Sequence, residues 1–117
     1  MKYMLLIYDN EQAAAKVRET EQQKIIGEYM RFTEDIKANR NYLAGAQLHP
    51  TATASSVRVR DGKELVTDGP FAETHEQLGG YYLIEAKNLD EATSIAARIP
   101  SARYGTIEVR PVVDRSM

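Results

Sequence analysis

The sequence predicts an α+β fold in which two helices cover one face of a mostly antiparallel sheet. Three observations carry this. Apolar runs of strand length stand at residues 2–8 and 81–86, and amphipathic helical stretches at 20–39 and 88–99. The chain order is strand, long helix, extended segment with hairpin, strand, helix, strand. Two βαβ-like halves in that order form a ferredoxin-like layout.

Residues 2–8 have no polar alternation, as expected of a central strand covered on both faces. Residues 9–20 are polar and alanine-containing, and read as a loop running into a helix. Ile25, Tyr29, Phe32 and Ile36 recur at spacings of four, three and four, so they share one helical face. Gly27 within that helix costs about 1 kcal/mol relative to alanine. A short extended segment, residues 43–48, ends at His49-Pro50, where the residue before proline is held out of helical geometry. Residues 51–55 are a small polar loop. Val57-Arg58-Val59-Arg60 alternates, Asp61-Gly62 is a hairpin turn signal, and residues 64–67 return.

The hairpin delivers the chain to a polar stretch bounded by glycines, residues 66–80, in which Asp68-Gly69-Pro70 has strong turn chemistry. Residues 81–86 follow as a strand with large apolar groups at both parities. Asn88 can cap the second helix, with Glu91 at the third position of a capping box. Leu89, Ala92, Ile95, Ala96 and Ile99 form its stripe, and Pro100 stops it. Residues 106–110 alternate as a last strand before a short polar tail.

Two helices cover one sheet face only. Burying each large side chain on the other face is worth roughly 1.5 to 3 kcal/mol, so the open face predicts a homodimer with sheets facing each other. A ligand cavity between helices and sheet is the competing use of those residues.

The chain has 117 residues, 43% hydrophobic and 27% charged, with a net charge of −2, which fits one ordinary globular domain spanning 1–117. The interspersed charges give no electrostatic footprint for nucleic acid. With no cysteine, disulfides, thiolate metal sites and a cysteine nucleophile are excluded. The first apolar run is too short for a signal-peptide core, and nothing approaches the roughly 18 apolar residues of a spanning helix. A cytoplasmic protein with no membrane partner is the expectation.

Thr67-Asp68-Gly69-Pro70-Phe71-Ala72-Glu73, continuing through Glu76-Gln77-Leu78-Gly79-Gly80-Tyr81-Tyr82 and closing with Ile107-Glu108-Val109-Arg110-Pro111-Val112, resembles the YCII-related family in its DGPF branch. Residues 2–8 and 45–50 also match, so the resemblance spans nearly the whole chain. It implies a dimeric α+β barrel of the ferredoxin-like type. Members are mostly uncharacterised. A His–Asp pair has been proposed as an active site in related proteins, one related branch acts as a dehydrochlorinase, and DGPF members are often associated with extracytoplasmic-function sigma factors. The aspartate carries over onto Asp68. The histidine has no match of its own, and His75 stands where DGPF members usually carry a lysine.

An aspartate that accepts an imidazole N–H fixes a neutral general base, so Asp68 with His49 or His75 is the candidate catalytic set. The competing role for Asp68 is a turn cap that accepts backbone N–H bonds, and for His75 a solvated surface position. Glu73 and Glu76 would lie on one side of a helical turn over residues 71–78, as an acid pair or as solvated charges. Arg58 shares a strand face with Arg60 and could attract an anionic substrate. Tyr8, Tyr81 and Tyr82 could line a pocket or simply pack, and Phe71 is expected to plug the loop onto the body. No metal, phosphate-loop or organic-cofactor motif is legible. The expected activity is proton-transfer chemistry, of elimination or hydrolase type, on a small polar molecule. Its rival is a non-catalytic ligand-binding or regulatory module.

Overall fold

Strand β1 (Lys2–Asp9) alternates between buried and half-buried positions because a helix layer covers only one of its faces. Tyr3, Leu5 and Ile7 are buried, while Met4, Leu6 and Tyr8 are half-exposed. The computed structural model describes residues 1–115; the last two residues of the polar tail lie outside this range.

In chain order β1 is followed by α1 (Glu11–Ala15), α2 (Glu19–Ala38), β2 (Tyr42–Gln47), β3 (Ser55–Arg60), β4 (Lys63–Asp68), β5 (Gln77–Glu85), α3 (Leu89–Ala97) and β6 (Thr106–Pro111). Two 3₁₀ turns, Thr51–Thr53 and Pro100–Arg103, complete it. The main sheet has the order β2-β5-β1-β6 with every neighbour antiparallel, and β3 and β4 form a separate two-stranded ribbon. This is the ferredoxin-like α+β arrangement, with β1 central as its uninterrupted apolar run requires.

The core lies between the odd-numbered face of β1 and the helices. Phe32 and Ile36 of α2, Ala92, Ile95 and Ala96 of α3, and Ile99 just beyond it bury against Leu5, Tyr82 and Ile84. Two buried hydroxyl pairs set the rotation of α2: Tyr29 Oη lies 2.6 Å from Ser101 Oγ, and Tyr82 Oη 2.7 Å from Thr33 Oγ1. Burial raises the pKa of both tyrosines, so both pairs stay neutral. Arg103 grips both oxygens of Glu28 at 2.8 and 2.9 Å, tying the second 3₁₀ turn to α2.

The cap of α3 forms as its residues dictate, with Asn88 Oδ1 accepting from the Glu91 N–H at 2.9 Å. Glu91 does not close the box on Asn88. Its Oε1 accepts instead from the Lys87 N–H at 3.3 Å and from Asn41 Nδ2 at 3.2 Å. Asp61 and Gly62 both have positive φ, 52° and 73°, as a type I′ hairpin turn demands.

Four expectations are corrected. The polar stretch after β1 contains a short helix, because Asn10 caps it through a bond from the Ala13 N–H. Strand β5 begins at Gln77 and not at Tyr81, since Gln77 and Leu78 pair with Asp9 and Tyr8 and Gly80 pairs with both β1 and β2, so the connecting loop shrinks to residues 69–76. Leu89 is 52% exposed, because it opens the helix before the stripe turns inward. Phe71 is 80% exposed and plugs nothing within its own chain.

Candidate functional site

The C-terminal end of β1 is where the polar loops converge. Tyr8 pairs with Leu78 and Thr106, and Asp9 with Gln77, so three strand ends meet at one corner of the sheet. The register slips there: Ile7 opposes Gly80 and Tyr8 opposes Leu78, leaving Gly79 as the extra residue of a β-bulge. Bulges re-aim side chains and are frequent beside active sites.

Asp9 occupies this corner. Gly79 leaves its carboxylate open, since even an added Cβ there would come no nearer to Asp9 Oδ1 than 3.8 Å. Gly105 lets β6 close against it, because a Cβ at 105 would stand 3.0 Å from the Asp9 Cα and Cβ. Asp9 is half-buried and has no side-chain hydrogen bond among the described residues. Its pKa is raised above the ordinary carboxylate value, first by burial, then by the charges of Glu11 and Glu76. A carboxyl shifted this way has the character of a proton-transfer group.

Three segments are fastened around it. The Glu11 N–H donates to Gln77 Oε1 at 2.9 Å, and Gln77 Nε2 donates to the Thr74 carbonyl at 2.6 Å. The Glu11 carboxylate accepts from the Thr51 N–H at 2.8 Å and from Thr51 Oγ1 at 2.7 Å. Asn10 Nδ2 donates to the His75 carbonyl at 3.4 Å, and Thr106 Oγ1 to Glu76 Oε1 at 2.9 Å. The Leu48 N–H donates to the Gly79 carbonyl at 2.9 Å.

His49 therefore lies between two anchors of the site, Leu48 and Thr51, and His75 is held by its backbone beside Asn10. Both imidazoles are exposed. Of the other candidates, Glu76 borders the site and Tyr8 is half-exposed on the opposite sheet face. The turn geometry of residues 71–78 is not helical, so Glu73 and Glu76 form no stacked pair: Glu73 points to water, while Glu76 is fastened to Thr106. Tyr82 is a core residue, with its hydroxyl bonded to Thr33 inside the helix layer. Arg58 is exposed on the ribbon.

Asp68 stands at the exposed end of β4 and does not cap the turn. The Gly69 N–H donates instead to the Ala54 carbonyl at 2.7 Å, and Ser56 Oγ to the Gly69 carbonyl at 2.8 Å. Its carboxylate has no hydrogen bond among the described residues. The acid that the sequence reading passed over is Asp9. Its signal was an acidic residue closing an otherwise apolar central strand, next to a loop carrying a second acid.

Two shallow grooves, of about 190 and 240 Å³, lie elsewhere. One runs between α2 and the second 3₁₀ turn and is lined by Arg31, Arg98 and Arg103 with Glu28 and Asp35; the other lies along α3 and β6. Neither is lined by Asp9, Asp68 or a histidine. The site follows from the strand ends and their charges, which is where the chemistry is. Among the described residues no three His, Asp or Glu side chains are placed to hold a metal ion, and no helix is long and apolar enough to cross a membrane.

Asp9→Asn is expected to stabilise the fold slightly at pH 7. A raised carboxyl pKa means that the native state holds the proton more tightly than the unfolded chain. The penalty on the ionised form is complete above the raised pKa and vanishes below the ordinary carboxylate range. Solvent screening of this half-exposed group limits the gain to about 0.5 kcal/mol. Urea midpoints at pH 7 and pH 3.5 check this, and a lower midpoint at pH 7 would show that the carboxylate makes a stabilising contact.

The comparisons agree with this architecture. The YCII-related domain matches residues 1–116. An uncharacterized protein of Rhizobium meliloti (strain 1021) is 37% identical over 121 residues, covering 96% of this chain and 92% of that protein. A solved structure of 5-chloro-2-hydroxyhydroquinone dehydrochlorinase from Burkholderia phenoliruptrix AC1100, in complex with 2,5-dihydroxybenzoquinone, superposes with a TM-score of 0.50. Their identity is 15%, and the match covers 97% of this chain and 94% of that one, a likeness of fold. A domain match over nearly the full length, joined to a relative of this identity, settles the family: the chain belongs to the YCII-related family.

Proposed function

We propose that this chain catalyses acid–base chemistry of elimination type on a small polar molecule at the corner built around Asp9. The observation that carries the reading is a half-buried carboxyl, its pKa raised by burial and neighbouring acids, at a bulged strand end and fastened between segments that bear both histidines. The ionised Asp9 takes a proton from the substrate, the electron pair left behind forms the new double bond, and the leaving group departs as an anion. His49 or His75 supplies the imidazole of a His–Asp pair, with Asp9 in the place that the sequence resemblance gave to Asp68. Hydrolysis, with the same group activating water, is the variant of this chemistry. The dehydrochlorinase likeness supports the elimination class and a hydroxylated ring as the kind of molecule to try first.

The working unit is a homodimer joined through the open sheet face. Met4, Leu6, Tyr81 and Leu83 are half-exposed there on adjacent strands, a contiguous apolar face that a second copy would cover. The single domain is of the DGPF branch.

The test is halide release from a panel of chlorinated hydroquinones. The native chain is expected to release chloride, with a rate that rises as pH passes upward through the raised Asp9 pKa. Asp9→Asn is expected to lower that rate at least 100-fold, within the range typical of a lost general base. No release by the native chain, or full activity in Asp9→Asn, would sink the proposal. Turnover-free ligand binding, unchanged in Asp9→Asn, would favour the alternative of a binding or regulatory module, of the kind linked to sigma-factor systems.

A further inference from the structure

The two hydroxyl pairs of the helix layer differ in their proton count. Thr33 Oγ1 donates to the Tyr29 carbonyl at 2.8 Å and lies 2.7 Å from Tyr82 Oη, so Tyr82 is the donor between them and both protons are spent. Tyr29 Oη and Ser101 Oγ stand 2.6 Å apart, and neither hydroxyl has another partner among the described residues. Two protons serve one bond there, which leaves one donor over. Ser101 is buried, so the spare donor is not simply turned to bulk water.

This incomplete pair borders the Asp9 corner. The odd-numbered residues of β1 face the helices, and Asp9 follows Ile7 in that series. Tyr29 packs on the same side of the sheet, one turn before Phe32 in α2. The Ser101 carbonyl accepts the Gly105 N–H at 2.8 Å, and Gly105 is the residue seated on the Asp9 backbone. Burial is the main cause of the raised Tyr29 pKa, and the charge of Asp9 adds to it, so the phenol is a neutral donor within the field of that carboxylate. The two groups stand near each other without a bond between them.

We infer that Tyr29, backed by Ser101, is the oxyanion donor of this corner, holding the oxygen of an enolisable substrate while Asp9 takes the proton from the carbon beside it. The inference rests on the Asp9 reading above and narrows its substrate to a carbonyl compound, or a phenol reacting as its keto tautomer. A carboxylate removes a proton from carbon only when the electron pair left behind is accommodated. As the C–H bond breaks, that pair forms a carbon–carbon double bond to the carbonyl carbon, and the negative charge passes to the oxygen. Tyr29 donates to this oxygen and keeps its proton, while Ser101 donates to Tyr29 Oη and strengthens the bond. The carbonyl then re-forms, the pair of the double bond moves on by one carbon, and the leaving group departs as an anion. Tyr29 touches the substrate; Ser101 positions Tyr29.

The probe is 4-nitrophenolate, which carries its charge on an oxygen and reports binding by its absorption. It is titrated into the Asp9→Asn chain, where a neutral amide stands for the protonated base, and into that chain carrying Tyr29→Phe, Ser101→Ala or Tyr82→Phe. Halide release is measured for the three hydroxyl variants with Asp9 intact. Tyr29→Phe is expected to lower both phenolate affinity and the kcat of halide release about 100-fold, the effect of one lost oxyanion donor. Ser101→Ala should lower both about tenfold, the effect of a single lost hydrogen bond. Tyr82→Phe loses a buried hydroxyl bond of its own and should change neither.

Equal effects of Tyr29→Phe and Tyr82→Phe would make Tyr29 a packing residue and overturn the inference. Release that stops in Asp9→Asn but continues unchanged in Tyr29→Phe would overturn the donor and leave the Asp9 reading intact. A native chain that releases no halide, yet binds 4-nitrophenolate in a manner lost with Tyr29→Phe, would overturn the elimination reading and keep the donor. Should Tyr29→Phe fail to fold, Ser101→Ala decides, since it retains the phenol: unchanged phenolate binding there overturns the pair.

Discussion

Gly105→Ala is expected to cost about 3 kcal/mol or more, the upper end for overpacking, because the obstacle is backbone and cannot rotate away. A Cβ at 105 would run into the Tyr8 carbonyl oxygen and crowd the Asp9 Cα and Cβ at 3.0 Å. Relief requires β6 to shift away from β1, which strains the pairings of Thr106 with Tyr8 and of Ile107 with Ile7. The same shift moves Asp9, so proton-transfer activity should fall along with stability. Gly27→Ala is the matched control. Nothing lies within 4 Å of a Cβ built there, in the body of α2, so alanine should stabilise by about 0.5 to 1 kcal/mol through helix propensity alone. Urea unfolding of the two variants should shift in opposite directions. A near-native midpoint for Gly105→Ala would mean that β6 is not seated against Tyr8.

Leu5→Ala is expected to be comparably severe. Leu5 is fully buried, opposes Tyr82 on one side and Val109 on the other, and lies under the helix layer. Removing its branched end leaves a cavity walled by the neighbouring strands β5 and β6 and the helix layer, with no element free to collapse into it. The cost is roughly 3 to 4 kcal/mol, within the usual range for a leucine truncated in a rigid core. Against a total stability of about 5 to 15 kcal/mol, that loss brings the chain near unfolding at 37 °C. Leu6→Ala, one residue along on the half-exposed face, should cost much less to the isolated chain. Thermal midpoints at equal low concentration make the comparison, and equal losses at the two positions would contradict the one-sided core.

The fold was legible because its signals are local and redundant. The unbroken apolar run of β1, the spacing of Ile25, Tyr29, Phe32 and Ile36, and the Asp61-Gly62 turn each specify an element without help from elsewhere. The loop boundaries were less legible. Gly79 and Gly80 look like punctuation in the sequence, yet both lie inside β5: Gly79 is the bulge residue, and Gly80 pairs with Ile7 and Gln47 because its lack of a side chain suits a close approach to the Ala46 carbonyl. The site was legible only in outline. The polar stretch 66–80 includes the residues 75–77 that the structure brings to the Asp9 corner. Asp68 drew attention through its motif, whereas Asp9 acquires its character from burial first, then from the neighbouring Glu11, and last from Glu76, a residue 67 positions away. The burial and the approach of Glu76 are encoded in no local pattern. Phe71 failed for a related reason: a large apolar side chain signals burial, but the loop that carries it leaves it 80% exposed.

The short helix α1 has no buried residue and is held by polar contacts alone. Asn10 caps it with its carboxamide oxygen and holds the His75 carbonyl with its amide nitrogen; Glu11 reaches Gln77 through its backbone and Thr51 through its carboxylate. Fraying of this one helical turn therefore releases the 69–76 loop and the segment after Pro50 in the same event. The three form a single cooperative opening unit hinged on two side chains beside the Asp9 corner.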